Sequence, residues 1–304
     1  MAVYTLPKET HQITSSPDET MFYCAANAVF IYDPAEGRNI QRIPKSGNCF
    51  VSVADKGNRV AFCKTTGEVM VYDIGSPHTL VYEGKARSNT VCKGAITPDG
   101  EYVLIGGKEH VTAISVADGK KHVFYTIEKN HFVSKIDCNK NGILITSKAA
   151  DINGNPITSA IVCFKCINDP YPQIWRVSKQ YDKSFWEAYW VDTDKIALTY
   201  CGSAIRGVQY HDTRNENPVI DSPFDVVCES FRYYAAFSHA GEYYALSRGV
   251  IQPEYVSLYL AKDNRLLETI QAKYAYDVEF SQKDNYLLIG SSNPPLIHKI
   301  SHFG

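Results

Sequence analysis

The chain has 304 residues, of which 44% are hydrophobic, 21% charged and 12% aromatic, with 21 tyrosines and a net charge of −2. A chain of this length can bury a full core as one large all-β domain or as two smaller domains. No run of Lys or Arg exceeds two residues and no segment approaches 18 uncharged apolar residues, so neither a general phosphate-backbone binder nor a membrane-spanning helix is expected.

Taken in chain order, the N-terminal "MAVYTLPKETHQ" has no apolar core of a secretory signal. Nine cysteines, an odd number without a spacing framework, fit reduced thiols in a cytoplasmic or nuclear protein that is not secreted. The first element pair is "SSPDETMFYCA" (residues 15–25), which reads as strand, tight turn, strand. The same reading recurs in "VADKGNRVAFCK", "ITPDGEYVLIGG", "DCNKNGILITSK", "WVDTDKIALTY", "FSHAGEYYALSR" and "FSQKDNYLLIGS". Each turn carries Pro, Asp, Asn or Gly where the backbone must reverse. Short runs rich in β-branched and aromatic residues follow. A third run ends in "VFIYDP", "EVMVYDI" or "RGVQYHD".

The residues just before these turns are Ser15, Val53, Ile96, Asp137, Trp190, Phe237 and Phe280. Their spacing averages about 44 residues, and seven units fill the chain. A period of about 40–45 built from short strands predicts a β-propeller with about four strands per blade. The stretch "KSFWEAYW" (183–190) places Trp186, Tyr189 and Trp190 at the spacing of a helix face. Trp190, however, falls on the strand position before the fifth turn, so a strand is expected there.

"TPDGEYVLIGG", "IYDP" and "VYDI" resemble the WD40 repeat family, with Tyr-Asp where the Trp-Asp signature stands. The Gly-His pair and matching Asp of a full repeat are mostly absent. The resemblance covers essentially the whole chain. It implies one domain over residues 1–304: an all-β, seven-bladed β-propeller of four-stranded antiparallel blades. The N-terminal strand "AVYTL" would close the ring by completing the last blade, which is one strand short at the C-terminus. That closure removes two exposed strand edges.

Four residues before each turn stand His11, Cys49, Cys92, Val133, Trp186, Tyr233 and Tyr276. In WD40 propellers this position resembles a lining of the channel mouth on the top face, where the innermost strand begins. Three neighbouring blades, the fifth to the seventh, carry aromatics there. Trp186, Tyr233 and Tyr276 then form a half-ring suited to a flat or cationic group of a protein or peptide. Packing between blades is the competing reading for the same three rings. Trp190, Phe237 and Phe280 share the register of Val53 and Ile96 and are expected in the core.

Three long connections lie around the fourth to sixth units: Ser147–Ser159, Val177–Phe185 and Ser247–Tyr255. Long loops are often functional. They and their surroundings offer Lys148, Asp151, Asn153, Lys183, Tyr200, Arg206, Arg232 and Arg248. The partner-binding set expected from the sequence is Trp186, Tyr233, Tyr276, Tyr200, Arg232, Arg248 and Lys183.

Catalysis has little support. A metal-dependent site in the channel needs several His, Asp or Glu at equivalent inner positions, and the aligned position offers His11, two Cys and no carboxylate. No HExxH, GxSxG, Walker or dinucleotide motif is present. Cys163 and Cys166 form a CxxC without a second pair, and on a strand they would point to opposite faces. The sequence therefore predicts a non-enzymatic interaction scaffold without cofactor or metal. It would bind a protein or peptide around blades 4–7, alone or as a subunit of a multiprotein complex. A channel-site hydrolase or lyase and a purely structural subunit remain as alternatives.

Overall fold

The computed structural model describes residues 10–43, 48–64, 66–86, 93–150, 156–169, 172–178, 184–201, 206–214, 225–226, 234–247, 255–273, 275–291 and 295–301. Among them every regular element is a strand. No helix of the described residues is long and apolar enough to cross a membrane.

The strands form seven antiparallel sheets in sequence order. The first is β1 (Gln12–Ser15), β2 (Phe22–Ala25), β3 (Val29–Asp33) and β4 (Arg38–Ile43). The second is β5 (Asn48–Val53), β6 (Arg59–Lys64), β7 (Glu68–Asp73) and β8 (Thr79–Lys85). The third is β9 (Lys93–Ile96), β10 (Tyr102–Gly106), β11 (His110–Ser115) and β12 (Lys121–Thr126). The fourth is β13 (Phe132–Asn139), β14 (Gly142–Ala150), β15 (Pro156–Phe164) and β16 (Gln173–Ser178). The fifth is β17 (Ser184–Asp192), β18 (Lys195–Cys201), β19 (Arg206–Asp212) and β20 (Asp225–Val226). The sixth is β21 (Ala235–Phe237), β22 (Tyr243–Ser247), β23 (Tyr255–Leu260) and β24 (Arg265–Gln271). The seventh has three described strands, β25 (Ala275–Phe280), β26 (Tyr286–Ser291) and β27 (Leu296–Lys299).

The seven sheets are blades of a closed ring. Each innermost strand touches the innermost strand of both neighbouring blades, and β25 touches β1. The core is correspondingly divided into seven apolar clusters, one in each gap between blades. Period-2 alternation makes this division. On β6, Val60 and Phe62 pack toward the first blade, while Ala61 and Cys63 pack toward the third. Ile13, Phe22, Cys24, Tyr32 and Leu288 seal the gap between the first and seventh blades. There Thr14 Oγ1 also donates to Glu279 Oε1 at 2.6 Å, and Glu19 accepts the backbone N–H of Lys283. The expected closing strand, "AVYTL", lies outside the described residues.

"KSFWEAYW" enters strand β17 rather than a helix. Trp190 is 4% exposed among Leu144, Ile161, Ile196 and Leu198, between the fourth and fifth blades. Phe280 is 1% exposed and Phe237 half-buried, both within inter-blade clusters. The connection Ser147–Ser159 differs from the expected long loop. Most of it continues the ladder, with Ser147 opposite Ala160 and Ala149 opposite Thr158, so the fourth blade extends a hairpin of two nine-residue strands. The residues of "TSKAA" and "ITSAI" pair across the hairpin, which satisfies their backbone groups there instead of in water. Cys163 is buried on β15, and Cys166 is exposed beyond its end.

Candidate functional site

The seven innermost strands surround a central channel, and their alternation decides which residues face it. Gln12, Phe50 and Lys93 from the first three blades, with Lys135, Glu187, Tyr234 and Asp277 from the last four, line its upper part, where the strands begin. Two residues further along each strand, Thr14, Ser52, Ala95, Asp137, Tyr189, Ala236 and Glu279 line the lower part, toward the first turns. The upper cavity measures ≈ 190 Å³ and the lower ≈ 170 Å³. Both touch Gln12, Lys135, Tyr189 and Asp277, which form the waist between them.

The sequence alignment therefore chose a position one residue away from the lining. The aligned position carries no carboxylate, but the lining carries Asp137, Glu187, Asp277 and Glu279. Alternation explains the offset: counted back from the buried residue before the turn, the first and third positions face the channel and the fourth does not. The ladder slips between Asn48 and Phe50, between Val133 and Lys135, between Phe185 and Glu187, and between Ala275 and Asp277. The bulge falls on the aligned residue in three of these blades: Cys49, Trp186 and Tyr276. In the fourth blade it falls on Ser134, because that unit is shifted by one. The shift is visible in inter-blade bonding: Ile96 N donates to Ser52 Oγ, and in the same manner Trp190 N donates to Asp137 Oδ2. Asp137 is thus the counterpart of Ser52, and Cys138 rather than Asp137 precedes the fourth turn.

The waist is a chain of charged and aromatic groups. Lys135 Nζ sits 3.9 Å from the centre of the Tyr189 ring, within the range of a cation–π contact. The Tyr189 hydroxyl donates to Glu187 Oε2 at 2.8 Å. Burial and the Glu187 charge push the Tyr189 hydroxyl well above the usual phenol range. Asp277 accepts the backbone N–H of Ile13, and burial raises its carboxyl to about 6. Its Oδ2 has no hydrogen-bond partner among the described residues. Glu279 is pushed up to about 8, by burial first and by the Asp277 charge second. Both carboxyls keep some contact with the channel while protein surrounds them. That environment disfavours their charged forms.

At the lower mouth, Asp55 accepts the backbone N–H of Lys140 from across the channel, and burial raises its carboxyl. His239 pairs with Asp284 at 3.0 Å. Burial works against the charged imidazole, but the Asp284 carboxylate outweighs it and holds His239 above its usual value.

The expected binding residues fall mostly outside the described region. Lys183, Arg232, Tyr233 and Arg248 are outside it, as are Asp151, Asn153 and Cys92. The backbones of Trp186, Tyr200, Tyr276 and Arg206 lie on β17, β18, β25 and β19, but their side chains are outside the description. Lys148 is buried on β14 with its Nζ 5.9 Å from the Phe132 ring, and burial lowers its pKa. His11 is exposed at the upper mouth. The channel charges were missed because the fourth position before each turn lies on the other face of the strand. A period-2 scan starting from Gln12, Lys93 and Glu187 would have found them.

No protein-family model matches the chain, and no curated protein matches it. Solved structures do. The β-propeller domain of Myceliophteria thermophila Cps50 (Swd1) superposes with a TM-score of 0.76 at 11% identity, covering 99% of this chain and 100% of that one. The WD40 repeats of RRP9 give 0.70 at 12% identity over 99% and 91%. The Kuenenia stuttgartiensis hydrazine synthase gives 0.72 at 15% identity over 99% and 98%. At these identities the likeness establishes the fold, a seven-bladed propeller like that of the RRP9 WD40 repeats, and fold alone does not assign function.

Proposed function

We propose that this propeller is a non-enzymatic interaction module that binds a protein or peptide on its upper face around blades 4–7. The observation that carries the reading is the bulge at the start of the innermost strands. A bulge re-aims the side chain at its position and strengthens the local twist, and in the fifth and seventh blades that position holds Trp186 and Tyr276. Tyr233 is their counterpart by sequence in the blade between. Large aromatics at these positions, with Lys183, Tyr200, Arg232 and Arg248 expected from the sequence to accompany them, have the composition of an interface hot spot. The seven packed gaps favour rigid presentation, with little backbone change on binding. WD40 neighbours such as the RRP9 repeats support a module of this kind, and the expected setting is the cytoplasm or nucleus, alone or as a subunit of a complex.

The test is a pull-down with wild type and a Trp186→Ala/Tyr233→Ala double variant, both checked for an intact fold by circular dichroism. Loss of partners in the variant is the expected result. Equal capture by the two folded proteins rules the aromatic face out. A channel-site hydrolase or lyase is the second reading, favoured by the carboxylates Asp137, Glu187, Asp277 and Glu279. Against it, these four are spread over two levels of the channel. Among the described residues no three His, Cys, Asp or Glu stand close enough to share one metal ion.

A further inference from the structure

Turns from several blades meet at the lower mouth of the channel around one carboxyl. Asp55 stands in the first turn of the second blade, half-buried, and lines the lower cavity. That turn leans on the third blade, where Lys56 N and Gly57 N both donate to Pro98 O at 2.8 and 3.1 Å. Asp55 reaches past the third blade and accepts the backbone N–H of Lys140 in the fourth. From the sixth blade, His239 lines the same cavity. Asp284 of the seventh blade fixes it: Oδ1 takes His239 N at 2.8 Å and pairs with Nδ1 at 3.0 Å, and Oδ2 takes Ala240 N at 2.9 Å. The charged groups around His239 are Asp284 and Glu279 from the seventh blade and Asp55 from the second. Those around Asp55 are His239, Asp137 and the Lys140 ammonium. The fifth blade adds Trp190 and Val191 to the lining, which carry no charge.

We propose that Asp55 and His239 form a proton-controlled gate at the lower mouth of the channel. With His239 protonated, Asp55 stays across the mouth on Lys140 and screens the lower cavity. Once His239 is neutral, Asp55 keeps its repulsive neighbour Asp137 and loses a counter-charge. The remaining cation, Lys140, is exposed to solvent and screened by it. A half-buried carboxylate in that position turns toward water, its bond to Lys140 opens, and the cavity meets solvent from below. Burial works against the charged imidazole, but Asp284 first, then Asp55 and Glu279, outweigh it and hold His239 above its usual value. The closed state is therefore complete below that usual value and is lost as pH rises through the raised one. Acid does not open the gate, because a protonated Asp55 keeps an oxygen for the Lys140 N–H. The gate lies at the opposite end of the channel from the aromatic face, so it goes beyond the protein-binding reading and does not rest on it.

Hydrogen–deuterium exchange at the Lys140 amide of the full chain reads the gate, once corrected for the intrinsic pH dependence of exchange. In wild type the protection of this amide is expected to fall about tenfold between about pH 6 and about pH 9, the effect of one unit of difference in the His239 pKa between closed and open states. Asp55→Asn keeps an oxygen for the amide but no charge for His239 to hold, and His239→Gln removes the titrating group. Each variant, confirmed to melt as wild type does at about pH 6, is expected to show no step. A flat wild-type profile overturns the proposal. So does a step that survives in either variant: in His239→Gln it belongs to Glu279, which titrates in the same range, and in Asp55→Asn to the His239–Asp284 pair alone. A step of equal size at the β14 amide of Ile145 reports a loss of global stability and overturns it as well. The readout needs no partner, so this outcome is independent of the pull-down with Trp186 and Tyr233.

Discussion

A single carboxyl, Glu279, shows how far the channel departs from ordinary surface chemistry. Its folded-state pKa of about 8 means that the folded protein holds a proton the unfolded chain releases at a much lower pH. Stability conferred by the neutral form is therefore complete in acid and lost as pH rises toward about 8. Asp277, raised to about 6, and His239, raised by Asp284, lose stability in the same direction. The melting temperature of wild type is expected to fall between about pH 5 and about pH 8, and Glu279→Gln should flatten that slope without abolishing it. The amide keeps an oxygen to accept the Thr14 hydroxyl, so the fold is retained. Superimposable pH profiles for the two proteins would show that Glu279 is not the group responsible. None of this was legible in the sequence. Glu279 stands beside Phe280, whose register pointed to the core, but nothing in the sequence says that protein would close around the neighbouring carboxyl.

The recurring element is the first turn of each unit, and it was legible in part. The sequence showed Pro, Asp, Asn and Gly at the reversals. The structure adds a hydroxyl just after the innermost strand that accepts the backbone N–H five residues on. Ser16 does this for Met21, Thr97 for Tyr102, Ser238 for Tyr243 and Ser281 for Tyr286. Asp99 fastens the third turn further, accepting from the Thr97 hydroxyl and from Glu101 N. Gly100 completes it at φ 75°, and a Cβ there would meet Arg59 Cδ at 3.0 Å. Gly37 has nearly the same φ, 67°, with nothing within 4 Å. Each Gly→Ala change places an L side chain in the left-handed region, at about 1–2 kcal/mol. Gly100→Ala should therefore lower stability more than Gly37→Ala in urea denaturation. Equal losses would mean that the Arg59 contact is relieved without cost. The bulges at the opposite end of the innermost strands left no such mark in the sequence, because a bulge needs no special residue type.

At the scale of the whole ring, the question is what holds the seventh blade to the first. The cluster around Leu288, Phe22 and Tyr32 does so, with Thr14, Ser15 and Glu19 bonded across the same gap to Glu279, Gln282 and Lys283. The expected N-terminal strand would add a second fastening at the rim by pairing with β27, the outermost described strand of the seventh blade. Deleting residues 1–7 is then expected to lower the melting temperature by several degrees while leaving a folded ring, since a loss of about 2 kcal/mol corresponds to a shift of that size in a large domain. An unchanged melting temperature would show that the strand does not close the last blade.

By itself, the sequence determined the class, the number of units and the path of the chain. Those features follow from local causes: turn residues that reverse the backbone, alternation that suits strands, and a period that counts blades. It also assigned Trp190 to the core, where it packs between blades. Only the tertiary structure decided which residues face the channel. In a strand a slip of one residue exchanges the two faces, and four of the seven innermost strands contain such a slip. The meeting of Lys93, Lys135, Glu187 and Asp277 in one cavity depends on closure of the ring, which brings together residues nearly two hundred positions apart.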